Sequence, residues 1–306
     1  MNCNFRNLKS PSRTNVLISF SLVLISACST SPVKRLDASK RVAIHGHRGT
    51  RGTAPENTIP AFKEALTIPV DALELDTVMS KDGVVIVSHD PFIDGTLCKD
   101  SKGRNLKKPL AIKTLTAKSI QQYDCGSIAN EKFPEQKLVP KTPKPTLSQV
   151  IELVVQKSPL MDMNIETKMS AEETALNPDP KEFASKIVSL LRKYHRVEKT
   201  ILQSFDFRTL NEAHALEPGL RISALVDKNP NFCELALQIG ASIASPEFSL
   251  VTEDRVRKCH ELKIQVAPWT VNQEEDWAKL IAMGVDAIIT DYPKKLRTYV
   301  AEKVKP

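Results

Sequence analysis

The sequence predicts an α/β protein: an irregular TIM-type (β/α)8 barrel with an insertion at the active-site mouth. Three observations carry this expectation. Short apolar strands alternate with helix-length segments from residue 42 onward, polar side chains collect at the strand ends, and a lysine-rich stretch at about 91–145 interrupts the rhythm. Repeated strand–helix units put a parallel sheet inside a ring of helices, and eight of them close into a barrel. At 306 residues, 41% hydrophobic and 26% charged, the chain is long enough to bury such a core.

The first 27 residues read differently. Arg6, Lys9 and Arg13 precede an uncharged run from Val16 to Ile25, which ends in Ser26, Ala27 and Cys28. That is the pattern of a signal peptide, and an apolar run of about ten residues is too short for a spanning helix, which needs roughly 20. Ile25-Ser26-Ala27-Cys28 resembles a bacterial lipoprotein box, which implies a lipid on Cys28 and attachment to a membrane. Ser29 resembles the next residue of lipoproteins sent to the outer membrane, facing the periplasm; plain secretory cleavage is the alternative. The expected organisation is a signal at 1–27, a linker at 28–41 and a barrel domain at 42–306. Losing the signal takes three basic and no acidic side chains from the 43 and 36 of the full chain, which leaves 40 against 36. Both signs are interspersed, with no basic helix and no aromatic–basic alternation, so nucleic-acid binding is not indicated.

The candidate strands are 42–47, 72–78, 84–90, 161–168, 200–205, 221–227, 242–248, 265–271 and 287–293. Nine candidates compete for eight places, and Met79–Gly83 is too short to hold a crossover helix, so irregularity is expected near the start. A doubly wound open sheet is the runner-up, but no dinucleotide glycine fingerprint follows the first strand. The insertion carries Pro109, Pro134, Pro140, Pro143 and Pro145. Long ordered excursions at the C-terminal ends of barrel strands commonly build the mouth, so this one is a candidate lid or substrate wall. Cys98 and Cys125 both lie in it, and a bridge between them would restrain a long loop. Cys233 and Cys259 fall on consecutive predicted helices, and their pairing stays open.

In a barrel the chemistry sits where strands end. Side chains at i and i+2 on a strand share a face, so Glu74 projects with Asp76 and Glu166 with Lys168. Three carboxylates converging at one mouth repel unless a cation compensates them, and an all-oxygen set suits Ca²⁺ or Mg²⁺. The plainer alternative is that each acid caps a helix or pairs with a surface lysine. His47 and His89, both at strand ends, are candidates to divide general-acid and general-base roles. His45 shares the inward face one layer deeper and reads as a core or supporting residue. Arg48 and Lys168 offer fixed positive charge to a phosphoryl oxygen, which predicts an anionic substrate. Asn57 or Thr58 caps the helix beginning near residue 59, and Glu56 stands between that helix start and a direct site role.

The ordered set His47-Arg48-Gly49, Pro55-Glu56-Asn57-Thr58, Glu74-Leu75-Asp76, Lys81-Asp82-Gly83, His89-Asp90 and Glu166-Thr167-Lys168 resembles the glycerophosphodiester phosphodiesterase family. Gln203-Ser204-Phe205-Asp206, Trp269-Thr270-Val271-Asn272 and Thr290-Asp291-Tyr292-Pro293 extend the likeness over about 42–295. The resemblance implies a phospholipase C-like phosphodiesterase barrel with one divalent cation on Glu74, Asp76 and Glu166, and His47 and His89 as the acid–base pair. It implies Arg48 and Lys168 on phosphate, Glu56 supporting the substrate site, and Phe205 and Trp269 walling the pocket. The implied reaction releases sn-glycerol 3-phosphate and an alcohol. Two other functions stay in play: lysophospholipase D or sphingomyelinase D-like activity on lipids, and a silent phosphodiester-binding envelope lipoprotein. Where the family often continues His-Asp with Leu and an Arg-Thr-Thr-like segment, Pro91-Phe92-Ile93-Asp94-Gly95-Thr96 stands here, which bears on substrate preference.

Overall fold

Strand β1 (Ala43–Gly46) opens the barrel, and β2 (Ala72–Met79) returns parallel to it after helix α1 (Ile59–Ala65). The structure is a computed structural model that describes residues 41–169 and 175–303; the signal segment and Cys28 lie outside the described residues. Thr58 caps α1, its hydroxyl accepting the Ala61 N–H at 3.4 Å, and Pro60 sits in the first turn, where its missing N–H costs nothing. All eight residues of β2 are buried, as a strand covered on both faces requires.

One of the nine candidate strands, 84–90, is not a barrel strand. β3 (Val85–Val87) runs antiparallel to the upper half of β2, with Thr77 opposite Val87 and Met79 opposite Val85. The link at 80–83 is long enough only for a hairpin, and Gly83 supplies its left-handed residue at φ +71°. β2 therefore rises above the mouth and β3 brings the chain back down.

The insertion continues from there as a built layer. β4 (Phe92–Ile93) pairs antiparallel with β5 (Leu110–Ala111), and a short helix α2 (Ala117–Ile120) follows. Ile93, Cys98, Ile112, Ile120 and Cys125 pack onto Val78 and Ile86 of the hairpin. Cys98 and Cys125 are joined by a disulfide. A second arm reaches the loop after β1, where the Lys137 N–H donates to the Thr53 carbonyl at 2.9 Å.

Helix α3 (Leu147–Lys157) starts with a reciprocal capping box between Thr146 and Gln149. The alternation is then regular: β6 (Asp162–Thr167), α4 (Pro180–Lys193), β7 (Thr200–Ser204), α5 (Phe207–Leu216), β8 (Arg221–Val226) and α6 (Phe232–Gln238). β9 (Ile243–Pro246), α7 (Glu253–Glu261), β10 (Gln265–Val266), α8 (Glu274–Ala282), β11 (Ala287–Thr290) and α9 (Pro293–Lys303) complete it. Cys233 on α6 and Cys259 on α7, left open by the sequence, are disulfide-bonded.

Eight parallel strands run in the order β10-β9-β8-β7-β6-β2-β1-β11. The ladder of β10 stops after two residues, and Pro268, which has no N–H, follows just beyond it. The seam between β10 and β11 is bridged instead by three N–H donations: Asp286 to the Val266 carbonyl, Ile289 to Pro268 and Val271 to Ile289, at 2.9–3.0 Å. Inside the ring, Ala43, Ile201, Ile243, Ala267 and Ala287 form an apolar plug. Two residues further along the same strands the lining becomes polar, with His45, Gln203 and Ser245. Among the described residues no helix is long and apolar enough to cross a membrane.

Candidate active site

Strand register assembles the acids. β2 and β6 place Asp76 directly beside Glu166, and Glu74 lies two residues below Asp76 on the same face. Ligand atoms of Glu74, Asp76 and Glu166 all fall within 4.8 Å of one another, and all three residues are buried. Each acid is held by a neighbour. Glu74 accepts from the Gln203 amide at 3.1 Å and from the Arg48 N–H at 2.8 Å. Asp76 Oδ2 accepts from the Asn57 amide at 2.7 Å, while the Asp76 N–H donates to Asn57 Oδ1 at 3.2 Å. Glu166 Oε1 accepts from Lys168 Nζ at 2.7 Å. Asp76 Oδ1 is buried with no hydrogen-bond partner.

The charges are divided unevenly. Burial, reinforced by Asp76 and Glu166, pushes the Glu74 carboxyl well above its usual range. Burial also raises Glu166, to about 7, with Asp76 adding to the rise and Lys168 opposing it. For Asp76 burial acts upward too, but Arg48, His89 and Lys168 outweigh it and hold the group ionised. Three buried carboxylates with one unpartnered oxygen are the donor set that a hard divalent cation fits.

His47 stands just past β1, and its Nδ1 lies 2.6 Å from Asp291 Oδ1. An ionised carboxylate only accepts, so Nδ1 carries the proton and Nε2 is left free, 4.0 Å from Glu74 Oε2. Asp291 is itself oriented by Asn272, whose amide donates to Oδ2 at 2.7 Å and whose carbonyl oxygen accepts the Asp291 N–H at 3.0 Å. Burial lowers the His47 pKa despite the pull of Asp291. His89 arrives from the opposite direction, on the chain descending from β3, with Nδ1 2.8 Å from Asp90 Oδ1.

Arg48 adopts φ +49°, turning its N–H onto Glu74 and its guanidinium onto Glu56 (2.6 Å) and Asp76 (3.1 Å). Gly49 follows at φ +86°, and a Cβ there would lie 2.8 Å from the Ala61 backbone. The loop can lie on α1 only because that side chain is missing. Both Glu56 oxygens are engaged, one by Arg48 and one by Arg51 Nε at 2.7 Å, so Glu56 stands behind the guanidiniums as their anchor.

His47, Arg48, Glu74, His89, Glu166, Lys168, Phe205 and Trp269 line one cavity of about 320 Å³. Phe205 and Trp269 meet edge to face at 5.4 Å, and Lys168 Nζ lies 5.8 Å from the Phe205 ring. His45 lies deeper, near Asn164 at 3.4 Å, with its pKa lowered to about 4 by burial. Five supporting residues carry no site role in the sequence reading: Asn57, Gln203, Asn272, Asp291 and Arg51. All but Arg51 stand in the motifs quoted above, and for Gln203, Asn272 and Asp291 a polar residue at or near an apolar strand's end is the available signal. Asn57 was a capping candidate; Thr58 does the capping, and at φ +55° Asn57 turns to Asp76 instead. Arg51 had no signal of its own.

The glycerophosphoryl diester phosphodiesterase family matches residues 47–295. A glycerophosphodiester phosphodiesterase of Caldanaerobacter subterraneus subsp. tengcongensis is 30% identical over 257 residues, covering 84% of this chain and 96% of the relative. Lysophospholipase D GDPD3 of Homo sapiens is 26% identical, with 85% of each chain covered. The crystal structure named as a putative glycerophosphoryl diester phosphodiesterase from Silicibacter pomeroyi superposes with a TM-score of 0.82 at 27% identity, covering 87% of this chain and 95% of that one. With the barrel, the acid cluster and a match spanning most of its length, the chain belongs to the glycerophosphoryl diester phosphodiesterase family of hydrolases.

Proposed function

We propose that the protein splits glycerophosphodiesters into sn-glycerol 3-phosphate and an alcohol in a reaction that requires one divalent cation, with His47 and His89 as its acid–base pair. The acid cluster carries this reading: three buried carboxylates within 4.8 Å, one oxygen of Asp76 unpartnered, and Lys168 alongside. Glu74, Asp76 and Glu166 would hold Ca²⁺ or Mg²⁺, which when bound neutralises charge on the phosphoryl oxygens. His47, neutral and with Nδ1–H held on Asp291, takes a proton at Nε2 from the attacking oxygen. His89 gives a proton to the departing alkoxide. Lys168 and Arg48 bind the phosphoryl oxygens, and Phe205 and Trp269 wall the side where glycerol or the alcohol lies.

The test is release of glycerol 3-phosphate from glycerophosphocholine by wild type and His47→Ala, with and without chelator. The expected result is release that stops on chelation, returns with Ca²⁺ or Mg²⁺, and falls by about 10²-fold or more in the variant. Full activity after exhaustive chelation removes the metal from the scheme. One observation favours a second substrate class: Phe205 is 40% exposed at the rim, an apolar surface that an acyl chain could cover. Choline release from lysophosphatidylcholine exceeding that from glycerophosphocholine would make lysophospholipase D activity the main reaction. No turnover of either by folded, metal-loaded protein would leave only a binding role.

A further inference from the structure

Arg51 lines the same cavity as the two histidines and the acids, yet the scheme above does not use it. Its Nε is fixed on Glu56 Oε2 at 2.7 Å, and its two terminal nitrogens make no hydrogen bond within the described residues. The insertion holds the residue at two points, side chain and backbone. The Phe133 ring, buried and delivered by the insertion, lies 4.7 Å from the guanidinium carbon, and the Gln136 amide donates to the Arg51 carbonyl at 2.5 Å. Phe133 in turn packs at 6.5 Å against the ring of Tyr292. A guanidinium seated in this way keeps little freedom, so its open donors are preorganised for a partner.

The open donors themselves say what that partner is, because two parallel N–H groups of a guanidinium match the paired oxygens of a carboxylate or phosphate. Arg48 and Arg51 share the Glu56 carboxylate, Arg51 also interacts with Asp291, and buried Lys144 faces the charges of Glu56, Asp90 and Asp94. The Arg48 guanidinium, which the proposed scheme gives to the phosphoryl oxygens along with Lys168, is also engaged by Glu56 and Asp76. The phosphodiester itself carries one negative charge, already matched by Lys168 and the proposed cation. The scheme thus leaves the two terminal nitrogens of Arg51 without an assigned partner.

The geometry points to Arg51 as a specificity-determining residue that binds a second anionic group of the substrate, a carboxylate or phosphate on the head group, held in place by Phe133 of the insertion. This inference rests on the proposed reaction. It makes the insertion a part of substrate selection: a bidentate donor pair faces the substrate because an aromatic ring from the insertion fixes it there.

The experiment compares glycerophosphoserine, whose head group adds a carboxylate, with glycerophosphocholine, in wild type, Arg51→Met, Arg51→Lys and Phe133→Ala. Both substrates share the scissile phosphodiester, so the ratio of their KM values reads the head-group contact alone. Wild type is expected to favour glycerophosphoserine. In Arg51→Met the preference for glycerophosphoserine, read as the ratio of the two KM values, should fall about tenfold. Arg51→Lys should recover part of the preference and Phe133→Ala should lose part of it, with folding checked by circular dichroism. An equal rise in KM for both substrates would assign Arg51 to the phosphodiester, and no change in either would remove it from the site; each overturns the inference. Calorimetric binding of both compounds to wild type and Arg51→Met separates this outcome from failure of the reaction. Lost selectivity of binding in the variant supports Arg51 even without turnover, whereas unselective binding by wild type refutes it.

Discussion

Asp291 decides what His47 can do, because the carboxylate fixes the proton on Nδ1 and leaves Nε2 to face the cavity. Asp291→Asn keeps the shape but removes that obligatory acceptor, so kcat should fall by about 10²-fold or more while KM stays within about threefold. A variant with unchanged kcat would show that another group sets the tautomer. At this scale the sequence is legible where geometry is local. Glu74 with Asp76, and Glu166 with Lys168, are two apart on strands, and strand parity alone puts them on one face. Asp291 lies 244 residues from His47, and no local rule connects such a pair. Asn57 was ambiguous for a different reason: Asn and Thr cap helices about equally well, and only the left-handed backbone at residue 57 sends its amide to Asp76.

The alternation of strands and helices was readable from residue 161 onward, where each apolar run is followed by one amphipathic segment. It was less readable at 84–90, whose β-branched run has the pattern of a barrel strand; a five-residue link makes it a hairpin arm instead. The element that follows is stapled by Cys98–Cys125, and α6 is stapled to α7 by Cys233–Cys259. The two bridges span 27 and 26 positions, so each restricts the unfolded chain by an amount worth about 3.5 kcal/mol. Their functional weights differ. Replacing Cys233 and Cys259 by alanine should lower the denaturation midpoint and leave kcat and KM unchanged, since neither helix lines the cavity. Replacing Cys98 and Cys125 should lower the midpoint and raise KM as well, because the insertion they close carries Phe133 to Arg51. Chemical denaturation paired with steady-state kinetics reads both; a KM unmoved in the second variant would mean that the arm docks without the bridge.

For the whole molecule, repetition makes the ring of helices around a parallel sheet the most legible feature, and right-handed crossovers then dictate the order of neighbours. The seam was not legible, since it depends on three N–H donations around a two-residue strand. We propose that Cys28 tethers this barrel to the cell envelope. Cys28→Ser should move the protein from the membrane fraction to the soluble one on ultracentrifugation, and retention with the membranes would refute a lipid on that residue. The seam has a consequence in time. Both histidines and all three acids have been made once the ribosome reaches Lys168, but the strand that covers the free edge of β1, and the carboxylate that orients His47, come from Ala287–Asp291. A growing chain therefore lacks both the closing strand and an oriented His47 until Ala287–Asp291 has been translated, long after the acids and histidines themselves.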